Sequence, residues 1–183
     1  MGVPPVRDDD EVLRRAGDLD ERTTAAGVVV ALAPLEARRF EELFVLFADI
    51  VGAGEGYPHG PPLTRDVFES TWVRPISLVV GATIEGALVG AYYLKPNSPG
   101  RAAHIANAGY LVDARHRGKG VGGLLVEDSI WRAPLVGFDA IQFNLVFASN
   151  PARRLYERLG WREIGRVPRA VEGEDAIIYW REV

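Results

Sequence analysis

Gly109-Tyr110-Leu111-Val112-Asp113-Ala114-Arg115-His116-Arg117-Gly118-Lys119-Gly120-Val121-Gly122-Gly123-Leu124-Leu125 reads as a strand that stops, a basic glycine-rich turn, and a helix that begins. Backbone N–H groups at such a helix start point outward, where the positive end of the helix dipole favours an anion. A side chain at Gly118, Gly120 or Gly122 would hold a ligand off the backbone or forbid the φ that the turn needs. Arg117 and Lys119 add positive charge, so the expected guest is a phosphate or pyrophosphate.

The class of phosphate ligand follows from what the turn is not. The chain contains no G-x-x-x-x-G-K-[ST], and no G-x-G-x-x-G follows a first strand, which leaves out the two common nucleotide-loop fingerprints. The pattern present is Arg117-x-x-Gly120-x-Gly122, with Arg115-x-x-Gly118-x-Gly120 fitting the same spacing two residues earlier. The later frame puts Gly122 at the helix start. On its glycines alone the stretch is equally readable as an ordinary strand–helix turn.

At 183 residues, the chain is expected to form one domain with a loose N-terminal extension over residues 1–25. A net charge of −4 argues against a general nucleic-acid binder, because basic character is confined to Arg115–Lys119 and Arg153–Arg158. With no cysteine, disulfide and thiol chemistry are excluded, and His59, His104 and His116 are too scattered to predict a metal cluster. The acidic start, Asp8-Asp9-Asp10-Glu11, does not resemble a signal peptide, and no apolar run reaches membrane-spanning length. A cytoplasmic protein is expected, without membrane or nucleic-acid partners.

Taken in order, the extension carries one short helix near Glu11–Ala16, and Val28–Leu32 is a β-branched strand. Pro34 then opens a helix whose apolar residues Leu35, Phe40, Leu43, Phe44, Phe47 and Ile50 recur at helical spacing. Gly52–Pro62 is a Gly/Pro-rich loop carrying Glu55, Tyr57 and His59, of a kind that either borders a site or merely connects. Thr64 caps a helix ending at Trp72, and strands Ile76–Ala82 and Ala87–Leu94 turn at Ile84-Glu85-Gly86. His104–Val112 is the fourth strand and Ile141–Phe147 the fifth, with a helix from Gly122 to about Trp131 between them. A short helix, Ala152–Leu159, capped by Asn150 and closed by Gly160, precedes a hairpin of Trp161–Val167 and Ala176–Arg181. This is a mixed α/β order.

Two segments then carry a resemblance. Arg117-x-x-Gly120-x-Gly122 resembles the R/Q-x-x-G-x-G/A signature of the GCN5-related N-acetyltransferase (GNAT) superfamily. Ser149-Asn150-Pro151-Ala152-Arg153-Arg154-Leu155-Tyr156-Glu157-Arg158-Leu159-Gly160-Trp161 resembles the N-x-x-A-x-x-L-Y-x-x-x-G-F segment that follows the fifth strand in the same family, with Asn150 one residue nearer the tyrosine. The resemblance covers about residues 28–183. It implies the acyl-CoA N-acyltransferase fold, a central, mostly antiparallel sheet flanked by helices, whose fourth and fifth strands splay apart. It implies acetyl-CoA as co-substrate, with pantetheine against Leu111 and Val112 and pyrophosphate on Arg117, Gly118, Lys119, Gly120, Val121 and Gly122. Tyr156 matches the family tyrosine that serves the departing sulfur. His104 is the candidate base, with Glu85, Asp139 or water as weaker ones.

A narrower resemblance bears on the acceptor. Tyr57-Pro58, Leu94-Lys95-Pro96-Asn97, His104–Val112, Trp131–Gly137, Phe143–Asn150 and Asp175–Tyr179 are similar to segments of the fungal L-azetidine-2-carboxylate N-acetyltransferases. Those enzymes carry a tryptophan where this chain has Tyr156. By that match Asn107, Asn144 and Asn150 surround the acetyl group and a small amino or imino acid, and Asn107 joins the catalytic candidates. Asn144 also interrupts an apolar strand, where a buried amide needs a partner, either a ligand or the protein itself. Acetylation of a protein N-terminus or lysine, and non-catalytic acyl-CoA sensing, are the competing expectations. Family members commonly dimerise through their C-terminal strands.

Overall fold

In the computed structural model, which describes residues 17–74 and 76–183, the core is read most directly from one strand, β4 (Ala87–Pro96). Its side chains alternate between two apolar clusters. Tyr92 and Leu94 pack with Leu125 and Val126 of α3 (Val121–Arg132), whereas Ala91 and Tyr93 pack with Phe47 of α1 (Phe40–Gly52) and Trp72 of α2 (Arg65–Trp72). A strand that is apolar on both faces needs cover on both, and the helices supply it.

The other strands are β1 (Asp20–Thr23), β2 (Val29–Pro34), β3 (Leu78–Ile84), β5 (Ile105–Val112), β6 (Ala140–Phe147), β7 (Arg162–Val171) and β8 (Glu174–Glu182). They form one sheet in the order β1-β2-β3-β4-β5-β6-β8-β7. Every neighbouring pair is antiparallel except β5 and β6. The mixed α/β sheet expected from the sequence is therefore present. A short helix, α4 (Arg153–Arg158), lies between β6 and β7.

Local chemistry explains most boundaries. Helix α1 buries Leu43, Leu46, Phe47, Ile50 and Val51, the i, i+3, i+4, i+7, i+8 stripe of a helix lying on a sheet. The Thr64 hydroxyl accepts from Val67 N at 3.3 Å and caps α2 as its position predicts. The β3–β4 and β7–β8 hairpins turn on Glu85-Gly86 and Glu172-Gly173, all four residues at positive φ, which suits two-residue turns between twisted strands.

Several boundaries differ from expectation, among them the last hairpin, whose strands run on past Val167 and start before Ala176, to meet at Glu172-Gly173. Pro34 is the last residue of β2 and does not open a helix: Leu35 N still donates to Val79 O at 2.9 Å, and α1 waits until Phe40. Asp20–Thr23, inside the segment expected to be loose, is an edge strand in register with β2 from Asp20↔Leu32 to Thr23↔Val29. Its sequence, Asp-Glu-Arg-Thr, has no apolar residue, so hydrophobic alternation could not reveal it. The helix expected near Glu11–Ala16 lies outside the described residues.

A buried polar cluster ties this edge to the centre. Tyr92 donates to Asp128 Oδ2 at 2.7 Å, and Arg132 Nε donates to the same oxygen at 2.9 Å. Arg132 also donates to the Asp18 carbonyl at 2.9 Å, just ahead of β1. Asp128 and Arg132 are both fully buried, so removing one leaves an uncompensated charge. Asp128→Ala is expected to lower unfolding stability by about 3–5 kcal/mol. Chemical denaturation checks this, and a loss under about 1 kcal/mol would mean that the pair is solvated in the native state.

Candidate active site

The site begins where a ladder ends. β5 and β6 pair only at Ile105↔Ala140, Ala106↔Ile141 and Asn107↔Gln142. At the last rung the Asn107 side-chain amide donates to the Gln142 carbonyl at 3.0 Å, and its Oδ1 accepts from the Tyr93 hydroxyl at 3.3 Å. Tyr93 crosses β5 at Gly109, where a Cβ would stand 2.6 Å from the ring. β6 then bulges between Phe143 and Val146 against β8, which turns it away from β5.

Beyond Asn107 the free edge of β5 is available to a ligand. Asp113 N donates to Val89 O at 2.9 Å, and Leu111 O lies 2.9 Å from where a Gly90 Cβ would be, so these residues turn their backbone polar groups to β4. Strand alternation therefore turns the backbone groups of Tyr110 and Val112 into the gap. This corrects the pairing expected of Leu111, which lines the gap while its N–H and C=O face β4. The Tyr57 hydroxyl, on the loop between α1 and α2, donates to the Tyr110 carbonyl at 3.2 Å.

One cleft of about 670 Å³ runs from this gap to the start of α3. Gly120, the residue before α3, has φ 90°, and a Cβ there would meet the Thr24 side chain at 2.9 Å. The first helical bond is Leu124 N to Gly120 O at 3.2 Å, and the first turn holds no acidic residue. The amides of Val121, Gly122 and Gly123 thus have no intrahelical partner and suit an anion. Arg117 and Gly122 line the cleft, whereas Arg115 is held back by Asp113, whose carboxyl this contact lowers to about 2. That geometry selects the later of the two glycine frames. Gly118 and Lys119 are exposed in the turn and line neither cleft. Arg117 pairs with Glu55 of the α1–α2 loop.

A second cleft, of about 400 Å³, opens on the α2 side and shares Tyr57, His59, Tyr110, Asn150 and Tyr156 with the first. Tyr156, on α4, is buried among Phe143, Tyr110 and Tyr179, and burial raises its phenol well above the usual range. No hydrogen bond to its hydroxyl is present among the described residues. His59 stacks on Tyr57 with ring centroids 6.1 Å apart and meets the edge of Phe47. Its Nδ1 is buried without a partner, and burial, helped by the charge of Lys95, pushes its pKa down. Burial thus favours the uncharged form of both groups, the phenol of Tyr156 and the imidazole of His59.

The remaining sequence-named residues divide. Asn107 and Asn144 line the second cleft, and Asn150 lines both. Asn150 Oδ1 accepts from Ala152 N at 2.9 Å and closes a turn ahead of α4, but it is not the helix cap expected: Ala152 holds the N-cap position, and no side chain bonds there. Asn144 is exposed on the β6 bulge, donating to Asn97 at 2.6 Å and accepting from Gln142 at 2.9 Å, so the buried amide inferred from its apolar neighbours is not found. His104 is not brought to the site: it is exposed in the turn before β5, 3.1 Å from the Arg101 carbonyl, and lines neither cleft. His59 is not singled out by the sequence as a site residue because it sits in a loop, where no periodicity signals direction. Its only sequence cue is the crowded Gly/Pro loop around it.

The parted sheet, the free helix N-terminus and the divided cleft suit an enzyme that holds an extended anionic ligand along one strand edge. The profile of the acetyltransferase (GNAT) family matches residues 40–161, and the chain belongs to this family of acetyl-CoA-dependent N-acetyltransferases. A solved GCN5-related N-acetyltransferase from Kribbella flavida is 34% identical, covers 84% of this chain and 98% of its own, and superposes with a TM-score of 0.78. A phosphinothricin acetyltransferase from Sinorhizobium meliloti, solved with acetyl-CoA, shares the fold at 19% identity and a TM-score of 0.73, over 84% of this chain and 88% of its own. Among curated proteins, N-acetyltransferase aca1 of Schizosaccharomyces pombe is 49% identical over 80 residues, which are 43% of this chain and 38% of aca1. Protein SPT10 of Saccharomyces cerevisiae is 40% identical over 87 residues, 47% of this chain but 14% of SPT10. The chain thus spans well under half of either curated relative. No helix among the described residues is long and apolar enough to cross a membrane.

Two glycines give a paired test of the diphosphate cradle. At Gly122 an added Cβ makes only an ordinary 3.7 Å contact with Val112, and an acidic residue there complements the helix dipole. Gly122→Asp is expected to weaken acetyl-CoA binding at least about tenfold, or about 1.4 kcal/mol, without loss of melting temperature. Gly120→Ala is expected to lose about 1–3 kcal/mol of stability. Calorimetry and thermal unfolding read both, and unchanged affinity in Gly122→Asp would remove the cradle from the site.

Proposed function

We propose that the chain transfers the acetyl group of acetyl-CoA to the amine of a small amino or cyclic imino acid. The observation that carries this is the meeting of two clefts at Tyr156 and His59, one leading to a free helix N-terminus and the other, of about 400 Å³, open to an acceptor. The smaller volume, and a loop whose Tyr57 is bonded to Tyr110, support a small acceptor over a peptide.

Acetyl-CoA, when bound, supplies a thioester carbonyl activated toward an amine, with the CoA thiol as leaving group. The Val121–Gly123 amides and Arg117 would hold its diphosphate, and the backbone of Tyr110 and Val112 its amide groups. His59 is the base. Burial and the Lys95 ammonium both disfavour imidazolium, which favours the neutral ring that takes the proton of the attacking amine directly or through one water. Tyr156 is the acid, because burial holds its proton on the phenol oxygen until the departing sulfur takes it. Asn107 shapes the floor of the acceptor cleft, and Asn150 stands at the junction.

Thiol release from acetyl-CoA across a panel of amino acids, imino acids and peptides tests the reading. Turnover with the small acids supports it. Turnover confined to peptides, or acetyl-CoA binding without turnover, overturns it. Tyr156→Phe and His59→Gln are each expected to lower kcat by about 10²-fold or more at neutral pH. In the free protein, the His59 ring is expected to titrate below the ordinary value of 6.5 by NMR, and titration at or above that value would take the base role from it.

A further inference from the structure

The acceptor cleft carries an unbalanced charge. Lys95 lines it from β4, and among the described residues that line it there is no carboxylate and no other permanently charged side chain. The Lys95 ammonium stands 4.8 Å from the centre of the Tyr93 ring and forms no ion pair with a described residue. It is half-buried, and burial lowers its pKa, so its desolvation is offset by little more than the face of one ring. Its charge is felt at His59. A surface lysine would extend into water or meet a carboxylate. Here the ammonium stands over Tyr93 in a cleft where the amides of Asn107 and Asn144 donate to protein acceptors and Asn150 accepts from Ala152 N.

From this placement we propose that Lys95 is the residue that reads the acceptor's carboxylate: the substrate is an amine and an acid in one small molecule, and its anionic end completes the ion pair that the protein leaves open. This inference rests on the small-acid reading above and adds to it the group that selects for the acid. A charge-assisted bond to an ammonium inside a cleft outweighs one on the surface. Amines without an acidic group, such as polyamines and lysine side chains, bring a second cation to Lys95 instead and are rejected.

The test compares proline and azetidine-2-carboxylate with their carboxamides, in the wild-type protein and in Lys95→Met and Lys95→Arg. Met keeps an unbranched stem, and Arg keeps the charge. The wild-type protein is expected to favour each acid over its amide by about 10- to 100-fold in kcat/KM. Lys95→Met is expected to raise KM for the acids by the same factor, with the KM for acetyl-CoA little changed, and to erase the preference over the amides. Lys95→Arg is expected to restore most of it. Calorimetric binding of N-acetylproline is expected to weaken in parallel in Lys95→Met, independently of turnover. Acids and amides used equally well by the wild-type protein, or a preference that survives in Lys95→Met, overturn the assignment while leaving acetyl transfer to small amines in place. Turnover of neither class, with acetyl-CoA still bound, overturns both readings.

Discussion

The parting of β5 from β6 after the Asn107–Gln142 rung is the constraint on which the site depends. A sheet of eight strands has every reason to continue pairing, since an unpaired backbone group inside a protein costs about 1–3 kcal/mol. Three local devices stop it here. The Asn107 amide bonds to the Gln142 carbonyl, the Tyr93 hydroxyl fixes which way that amide points, and the β6 bulge carries Phe143–Val146 off line. Gly109 is part of the same device, because only its missing side chain lets the Tyr93 ring lie across β5. The two clefts are the two openings of one gap, and Tyr156 lies where they meet because α4 follows directly on β6.

The open edge is not left unserved. Tyr57 reaches from the α1–α2 loop to the Tyr110 carbonyl, and Glu55 of the same loop pairs with Arg117 beside the glycine turn. Both contacts occupy groups suited to a ligand. The Arg117–Glu55 pair is exposed by roughly half on both sides, so it is worth about 1 kcal/mol at most and yields readily to a doubly charged diphosphate. The loop can therefore hold the empty cleft in shape without competing strongly for it.

How much of this was readable beforehand depends on where the signal lies. The glycine turn, the Thr64 cap and the Glu85-Gly86 hairpin turn are local, set by residues within a few positions of one another, and sequence spacing carries them. Asn144 misleads for a physical reason: apolar neighbours predict a buried strand, but a bulge reverses the exposure of the residues within it, and bulges have no hydrophobic period. His104 misleads differently. It stands one residue before β5, and a strand position says nothing of which end meets the gap. His59 is brought to the junction by the packing of Tyr57 and His59 against Phe47, a tertiary contact between a loop and a helix face that no window of sequence contains.

One physical effect sets both proton-handling groups. Burial penalises whichever form is charged, and that form is the protonated one for an imidazole but the deprotonated one for a phenol. In the same water-poor junction, His59 is therefore pushed down and Tyr156 pushed up. In the mechanism proposed for them both work from the uncharged form, one accepting a proton and the other giving one. No carboxylate is needed to create that difference, and none lines the acceptor cleft among the described residues. The same absence leaves Lys95 uncompensated, and Lys95 in turn acts on His59 in the direction that burial already does. An Asp or Glu placed there as a base would pair with Lys95, shield His59 and cancel the positive charge facing the acceptor. An acceptor cleft without acidic side chains is thus a requirement of a histidine base and an acid-reading lysine sharing one small space.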